Sequence, residues 1–213
     1  MYVRDIMTTN IVTVPSSTSI AQAKQIMDAR RFRRLPIVDK GKLVGILSDR
    51  RLDELSPSKD PSISVLKMHY LLDKTMVKEI MQRDVVTVSP NMTVEASLAV
   101  AQGRKVGALV VVEDDRVVGI VTTNDFFYKI VNPLLGLGES GTRIEVSSGN
   151  GCKAMEEISS TICKLGLNIV TGYIVTRSGT SEKDIVVHVD AEDVSQLVSE
   201  LESKGYKVGL RQR

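Results

Sequence analysis

The chain carries one segment twice, and this internal repeat restricts its fold more than any other feature of the sequence. Residues 3–52 align without a gap to residues 77–126, at an offset of 74 positions. Twelve of the fifty aligned pairs are identical, whereas chance would give roughly three. Repeats of this length are whole supersecondary units that bury their apolar faces against one another. The repeat therefore predicts two similar units that pack together.

Each copy has the pattern of a β-α-β-β-α unit that opens with a short helical turn, VRDIM in the first copy and VKEIM in the second. The apolar runs 11–14 and 85–88 predict short strands. A helix and then two further strands follow in each copy. Residues 40–41 and 114–115 separate the two strands, which predicts a β-hairpin. Continuous aliphatic runs such as ALVVV and VVGIV favour strands that are buried on both faces.

The two copies end differently, in GILSDRRL and in GIVTTNDF. The second copy has Thr122 and, three residues later, Asp125. A hydroxyl at a helix start suits a phosphate, and a carboxylate can accept hydrogen bonds from a ribose diol. The first copy has Ser48 and Arg51, and a guanidinium accepts no hydrogen bond but binds phosphate or carboxylate. Two plainer explanations stay open: helix capping at Asp125, and a solvated helix end at the arginines.

The repeat resembles the CBS domain (cystathionine β-synthase-type domain), and the tandem pair resembles a Bateman module. The resemblance is carried by VKEIM, by VVTV with Pro90, by GIVTTND with Asp125, and by RLPIV at 34–38. It implies a regulatory ligand in the cleft between the copies, either AMP, ADP, ATP or S-adenosylmethionine, and no covalent cofactor. It also implies that adenine lies in an apolar slot beside the first strand. The candidate ligand-binding residues are Thr122, Thr123, Asp125, Val85, Thr87, Ala108, Leu109 and Val110 in the second copy, and Ser48, Arg51, Ile11, Thr13, Leu35 and Pro36 in the first.

A different pattern occupies the last third of the chain. From residue 142 onward, strand and helix patterns follow the order βαββαβ, which is the ferredoxin-like arrangement. Within that class the segment resembles the ACT domain, a regulatory domain that senses small molecules, through the loop Gly149, Asn150 and Gly151. ACT loops typically carry an acidic residue and then Pro-Gly, which this loop lacks. The segment is expected either to bind a small molecule or to act only in dimerisation.

The fold class predicted for the whole chain is α/β (α+β), with a tandem CBS pair followed by a ferredoxin-like, ACT-like domain. An amphipathic helix, VLKMHYLLDKTM, is predicted between the copies. This organisation resembles the acetoin-utilization protein family of bacteria, which implies a regulatory role. The predicted divisions are 1–56 and 77–132 for the CBS domains, 57–76 for the linker and helix, 133–141 for a flexible linker, and 142–213 for the ACT-like domain.

The sequence offers no recognisable catalytic or metal-binding set. Cys152 and Cys163 match no metal-ligand spacing, and His69 and His188 lie apart from any such pattern. No P-loop or nucleophile-elbow motif is present. The sequence therefore favours a ligand-sensing protein over an enzyme and predicts no catalytic residue and no metal.

Composition limits the expected partners. The net charge of +2, the absence of Trp and an aromatic content of 4% argue against nucleic acid. The basic run Arg30–Arg34 keeps a nucleic-acid regulator open as an alternative, and a dimerisation protein without ligand is another.

No apolar run approaches the ~20 residues that cross a bilayer, and MYVRDIMTTN does not have the pattern of a secretory signal. A cytoplasmic protein without a membrane partner is expected, and the resemblance implies a homodimer.

Overall fold

Residues 1–54, 72–148, 151–177 and 179–211 are described by the structure, which is a computed structural model. Most of the helix predicted between the copies therefore lies outside the described residues, as do Gly149 and Asn150 of the ACT-like loop. The chain divides into two units, Met1–Phe126 and Phe127–Arg213. The first unit contains both copies of the repeat, and the second contains the βαββαβ segment.

The first unit contains the expected elements of both copies. In each, a helix is followed by an antiparallel hairpin and a short second helix. The first copy consists of α1 (Val3–Ile6), α2 (Ile20–Arg30), β1 (Arg34–Asp39), β2 (Lys42–Ser48) and α3 (Asp49–Asp53). The second copy consists of a 3-10 turn (Val77–Glu79), β3 (Thr87–Val88), α4 (Val94–Gly103), β4 (Ala108–Glu113), β5 (Arg116–Thr122) and α5 (Thr123–Phe126).

Both predicted hairpins are present, with tight two-residue turns. Lys40 and Gly41 have φ values of 52° and 82°, and Asp114 and Asp115 have 48° and 63°. Positive φ at both central residues matches the right-handed twist of the flanking strands, as in type I′ turns. β1 pairs with β2, and β4 pairs with β5, each with a register shift before the turn.

The first strand of each copy is shorter than the sequence predicts. In the second copy only Thr87–Val88 pairs in parallel with β4. In the first copy the run 11–14 is reduced to a bridge between Val14 and Ile37. Apolar side chains in these runs fill the core whether or not their backbone joins a ladder, and Val14 is 6% exposed. Burial pattern alone therefore overestimates strand length here.

The two copies exchange their leading segments. The backbone N–H of Val3, in the first copy, donates to the carbonyl of Met92 at 2.9 Å. Likewise, the N–H of Val77, in the second copy, donates to the carbonyl of Thr18 at 2.9 Å. Val77 and Met81 accordingly belong to the hydrophobic core of the first copy. Each leading segment is thus part of the other copy's fold, which the repeat pattern did not predict.

The exchange accounts for two of the identities in the repeat. A Cβ atom at Gly119 would lie 2.7 Å from the sulfur of Met7 and 3.2 Å from the carbonyl oxygen of Thr8. A Cβ atom at Gly45 would lie 2.5 Å from the sulfur of Met81. In both copies a glycine in the last strand lets the other copy's leading methionine approach the sheet. Met and Gly recur together because each pair forms one contact across the copies.

The second unit has the ferredoxin-like arrangement. It begins with a π-helical segment (Phe127–Val131) and α6 (Asn132–Leu134). These are followed by β6 (Thr142–Ser148), α7 (Gly151–Lys164), β7 (Ile169–Thr176), β8 (Lys183–Val189), α8 (Ser195–Ser203) and β9 (Lys207–Arg211). The strands form one antiparallel sheet in the order β7-β8-β6-β9. The helices bury their apolar sides against alternate residues of the two central strands. The core of this unit is formed by Ile144, Val146, Ile158, Ile162, Ile185, Val187, Leu197 and Leu201.

The segment predicted as a flexible linker, 133–141, is hydrogen-bonded to the sheet of the second unit. The hydroxyl of Thr171 donates to the carbonyl of Leu134 at 2.6 Å, and the guanidinium of Arg143 donates to the carbonyl of Gly136 at 2.7 Å. Gly136 has a φ of 63° and lies against the ring of buried His188. Gly136 thus permits a close backbone approach that a Cβ atom would block.

The contact between Met7 and Gly119 can be tested by a double-mutant cycle. Gly119→Ala should lower the free energy of unfolding by about 1–3 kcal/mol, because the added methyl group overpacks the strand. In a Met7→Ala background the same substitution should cost less, because the sulfur is gone. Urea unfolding of the wild type, both single variants and the double variant measures the coupling. Strictly additive effects would contradict the contact.

Candidate functional site

Among the described residues of the first unit, two clefts bring together the end of one copy and the start of the other. One, here called the Asp125 cleft, has a volume of about 530 Å³ and contains Thr8 and Arg31–Arg34 of the first copy with Thr122–Asp125 of the second. The other, here called the Arg51 cleft, has a volume of about 470 Å³ and contains Ser48 and Arg51 of the first copy. Residues of the second copy that line the Arg51 cleft include Gln82, Val85, Val86, Lys105 and Ala108.

The exchanged leading segments bring these walls together. The N–H groups of Thr8 and Ile120 each donate to the other residue's carbonyl, at 2.9 and 3.1 Å. Gln82 and Ile46 form the equivalent pair in the other half, at 2.9 Å in both directions. Each pair adds the end of a leading segment to the edge of the other copy's last strand. Thr8 and Gln82 therefore become part of the clefts.

The carboxylate of Asp125 has a defined place at the end of β5. Its Oδ2 atom accepts hydrogen bonds from the backbone N–H and from the hydroxyl of Thr122, both at 2.8 Å. Thr123 donates from its N–H and hydroxyl to the carbonyl of Gly107, at 3.2 and 3.3 Å. The carboxylate of Asp125 therefore caps the backbone N–H of Thr122, as the capping explanation predicts. The same bonds orient the carboxylate at the wall of the cleft, so capping and ligand contact are compatible.

The corresponding end of the first copy is built around a cation. The hydroxyl oxygen of Ser48 accepts a hydrogen bond from the N–H of Arg51 at 3.3 Å, which caps α3. The guanidinium of Arg51 forms an ion pair with Glu54 at 2.8 Å and donates to the carbonyl of Ile80 at 3.4 Å. Its side chain is nevertheless 59% exposed. The position that carries a hydrogen-bond acceptor in the second copy thus carries a donor in the first.

The predicted site residues fall into different places. Thr122, Thr123 and Asp125 line one cleft together. The structure groups Val85 and Ala108 with Ser48 and Arg51 in the other cleft, rather than with Asp125. The residues expected to form the adenine slot therefore do not line the cleft that contains Asp125. The reason is the exchange, because the start of each copy faces the end of the other.

Several other predicted residues do not reach either cleft. Leu35, Leu109 and Val110 are fully buried in the core, and Pro36 is buried as well. Thr87 lines a separate shallow groove. Neither Ile11 nor Thr13 is among the residues that line the two clefts. In the second unit, Gly151 begins α7 and lines a groove with Met155 and Ile174.

The sequence did not indicate some of the residues that line the clefts. Thr8 and Gln82 follow the two leading turns, and their positions in the alignment are equivalent. Lys105 and Gly107 lie between α4 and β4. Arg31–Arg34, which belong to the basic run of the first copy, occupy the equivalent stretch there. The repeat offset was the available signal, since Thr8 and Gln82, Ile120 and Ile46, and Thr122 and Ser48 are equivalent pairs with one member in each cleft.

Arg34 connects the two clefts. It lines both of them, as Gly107 does. Its guanidinium contacts Asp49 at 3.2 Å, and its side chain is 31% exposed. A Cβ atom at Gly107 would lie 3.5 Å from both the Arg34 guanidinium and the Thr123 hydroxyl. An anionic group beside Gly107 would thus have the guanidinium of Arg34 within reach, whereas the hydroxyl of Thr123 already donates to the carbonyl of Gly107.

Over the ranges that the structure describes, no group of three His, Cys, Asp or Glu side chains could hold a metal ion. No helix within those same ranges is both long and apolar enough to cross a membrane.

Comparison with known proteins gives matches to the repeat. A CBS-domain family model matches residues 3–57 and 77–132. The CBS domain-containing protein YhcV of Bacillus subtilis (strain 168) is 28% identical over 123 residues, which is 58% of this chain and 81% of YhcV. The chain spans only 23% and 25% of two longer relatives that have enzyme names.

Two solved structures extend these similarities. A protein of Vibrio cholerae assigned to acetoin utilization (AcuB) is 35% identical with a TM-score of 0.53, and the match covers 64% of this chain and 94% of that one. The CBS domain pair of protein MJ0100 was solved in complex with 5′-methylthioadenosine and S-adenosyl-L-methionine. It is 30% identical with a TM-score of 0.50, and the match covers 64% of this chain and 96% of that one.

The capping role of Asp125 predicts a stability effect in the absence of ligand. Asp125→Ala removes the acceptor of both Thr122 donors and should lower the free energy of unfolding by about 1 kcal/mol or more. Asp125→Asn keeps one acceptor oxygen and should lose less. Urea unfolding of the unliganded protein measures both effects. An unchanged midpoint for Asp125→Ala would show that these bonds do not stabilise the fold.

Proposed function

The chain belongs to the CBS-domain family, and we propose that it is a ligand-sensing regulatory protein. In this proposal, the cleft formed by the two copies binds an adenine nucleotide or a related adenosyl ligand, such as S-adenosylmethionine. The observation that carries the proposal is the Asp125 cleft. It combines an oriented carboxylate, hydroxyl groups, an apolar surface and arginines within about 530 Å³, a volume typical of small-molecule sites.

Each part of an adenine nucleotide has a chemical partner in this cleft. The carboxylate of Asp125 can accept hydrogen bonds from the two ribose hydroxyls. Phe32 and Ile120 supply aromatic and aliphatic surface for a purine ring. Arg31, Arg33 and Arg34 supply donors for phosphate. The adenosyl ligands in the MJ0100 complex support the same class of ligand.

The proposed ligand would act as a regulator by joining the two copies. The walls of the cleft come from the end of one copy and the start of the other. A ligand that contacts both walls favours the arrangement in which they are close, and it shifts the population toward that arrangement. The output of the protein would follow this shift. The proposal assigns no catalytic residue, so binding without turnover is expected.

The remaining sequence-based predictions extend this proposal. The second unit is proposed to be an ACT-like regulatory or dimerisation domain, on the basis of its βαββαβ order and its sheet order. A cytoplasmic homodimer and a role connected with acetoin utilization are proposed from the family resemblance, with the similarity to the Vibrio cholerae protein as support. In the nucleic-acid alternative, binding through Arg30–Arg34 would weaken steeply with salt.

Thermal-shift measurements test the proposal. An adenosyl ligand at about 100 times its Kd should stabilise the wild type by about 2.7 kcal/mol. A panel of AMP, 5′-methylthioadenosine and S-adenosylmethionine should include at least one such compound. Asp125→Ala should remove most of the shift caused by AMP, because the ribose loses its acceptor, whereas Arg51→Ala should leave most of it.

The matched comparison is made within each variant, with and without ligand, because Asp125→Ala also changes the basal stability. Nucleotides that lack an adenine base serve as the specificity control. The proposal fails if no adenosyl compound shifts the wild type. It also fails in its assignment of the site if Asp125→Ala and Arg51→Ala weaken the AMP shift equally.

A further inference from the structure

We propose that the ligand carries a chain of at least two phosphates, with its adenosine in the Asp125 cleft and its outer phosphates in the Arg51 cleft. This inference rests on the proposed function. It narrows the ligand from adenosyl compounds in general to adenosine polyphosphates, of which ADP and ATP are the simplest. The inference also assigns Arg51, at the end of the first copy, a role in binding the same molecule.

The charge of the Arg51 cleft is the first observation. Four cationic side chains, Arg34, Arg50, Arg51 and Lys105, are among the described residues that line it, and no acidic side chain is among them. Two carboxylates outside the lining contact the arginines, with Asp49 at 3.2 Å from Arg34 and Glu54 at 2.8 Å from Arg51. Two carboxylates against four cations leave a positive excess. An anionic ligand group is therefore the chemistry that this cleft favours.

The residue at position 51 is the second observation. A carboxylate at this position, as at position 125, would let each half hold a ribose. Arg51 instead offers only donors, and its guanidinium is held by Glu54 and by the carbonyl of Ile80. A planar guanidinium suits bidentate contact with phosphate oxygens. The first half therefore has the chemistry of a phosphate site rather than that of a second nucleoside site.

The shared wall between the clefts is the third observation. Arg34 and Gly107 line both clefts. Gly107 has no side chain, and a Cβ atom there would lie 3.5 Å from the guanidinium of Arg34. The first phosphate of a nucleotide in the Asp125 cleft would meet Arg34, and the following phosphates would continue into the Arg51 cleft. One ligand can thus use the donors of both halves.

The same charges disfavour S-adenosylmethionine. That molecule has a sulfonium and an ammonium group against a single carboxylate, so its tail would bring net positive charge toward Arg34 and Arg51. Repulsion between like charges at contact distance lowers affinity. The protein is therefore expected to prefer polyphosphate tails, in contrast to the MJ0100 pair, which was solved with S-adenosyl-L-methionine.

Isothermal titration with AMP, ADP, ATP and S-adenosylmethionine tests this inference on the full chain. The titrations are run at low salt in EDTA, because divalent cations would neutralise the phosphates. In the wild type, ATP should bind about tenfold or more tightly than AMP, and ADP should fall between them. Arg51→Gln should weaken ATP about tenfold and change AMP by less than about twofold.

One further variant serves as a control for charge, and another serves as a second test of the Arg51 cleft. Arg30→Gln removes the same charge from an arginine that is not among the residues lining either cleft, and it should change ATP binding by less than about twofold. Lys105→Gln provides a second test inside the Arg51 cleft in case Arg51→Gln is unstable, and it should also weaken ATP more than AMP.

The outcomes separate this inference from the proposed function. Binding of AMP with ATP no tighter than AMP would overturn the polyphosphate inference and leave the adenosyl site intact. Equal weakening of AMP and ATP by Arg51→Gln would overturn it in the same way. No binding by any of the four compounds would overturn the proposed function itself, and this inference with it.

Discussion

Two pairs of backbone hydrogen bonds between the copies determine both clefts. Thr8 pairs with Ile120, and Gln82 pairs with Ile46, so that each leading segment lies on the last strand of the other copy. Backbone pairing of this kind needs no particular side chain, but it does need close approach. Gly119 and Gly45 allow that approach to Met7 and Met81. Each cleft consequently has one wall from each copy.

Because each cleft has walls from both copies, a ligand bound there would also affect how the copies are arranged. A single copy has the strand end and the hydroxyl residue, but it lacks the opposite wall. The opposite wall comes from the leading segment and the helix-to-strand connection of the other copy, which include Thr8 and Arg34 in the Asp125 cleft. A molecule bound in either cleft would therefore contact both copies at once. Any relative motion of the copies would change the contacts that hold it.

Local features of the fold were predictable because local physics determines them. The hairpin turns at 40–41 and 114–115, the cap at Asp125 and the βαββαβ order of the second unit all follow from short-range patterns. The exchange of leading segments was not predictable in this way. VRDIM and VKEIM bury the same apolar side chains whichever copy they join. Residues such as Leu109 and Val110 were consequently assigned to a ligand slot, although both are fully buried.

The difference between Asp125 and Arg51 has a physical interpretation once the clefts are known. In one half a carboxylate is held by Thr122, and in the other a guanidinium is held by Glu54. An acceptor suits ribose hydroxyls, and a donor fork suits phosphate oxygens. In the proposed complex, the two halves of the repeat would thus bind two different parts of one ligand. The sequence did not reveal that these two ends could bind one molecule, because they lie far apart along the chain and each alone resembles an ordinary helix cap.

The number of nucleotides bound by each chain tests this account most directly. Titration of a known concentration of active protein with ATP gives that number from the equivalence point, independently of the affinity. The account requires one ATP per chain, because only the half with Asp125 can hold a ribose and the other half is occupied by phosphates of the same molecule. Two independent sites of similar affinity per chain would contradict it.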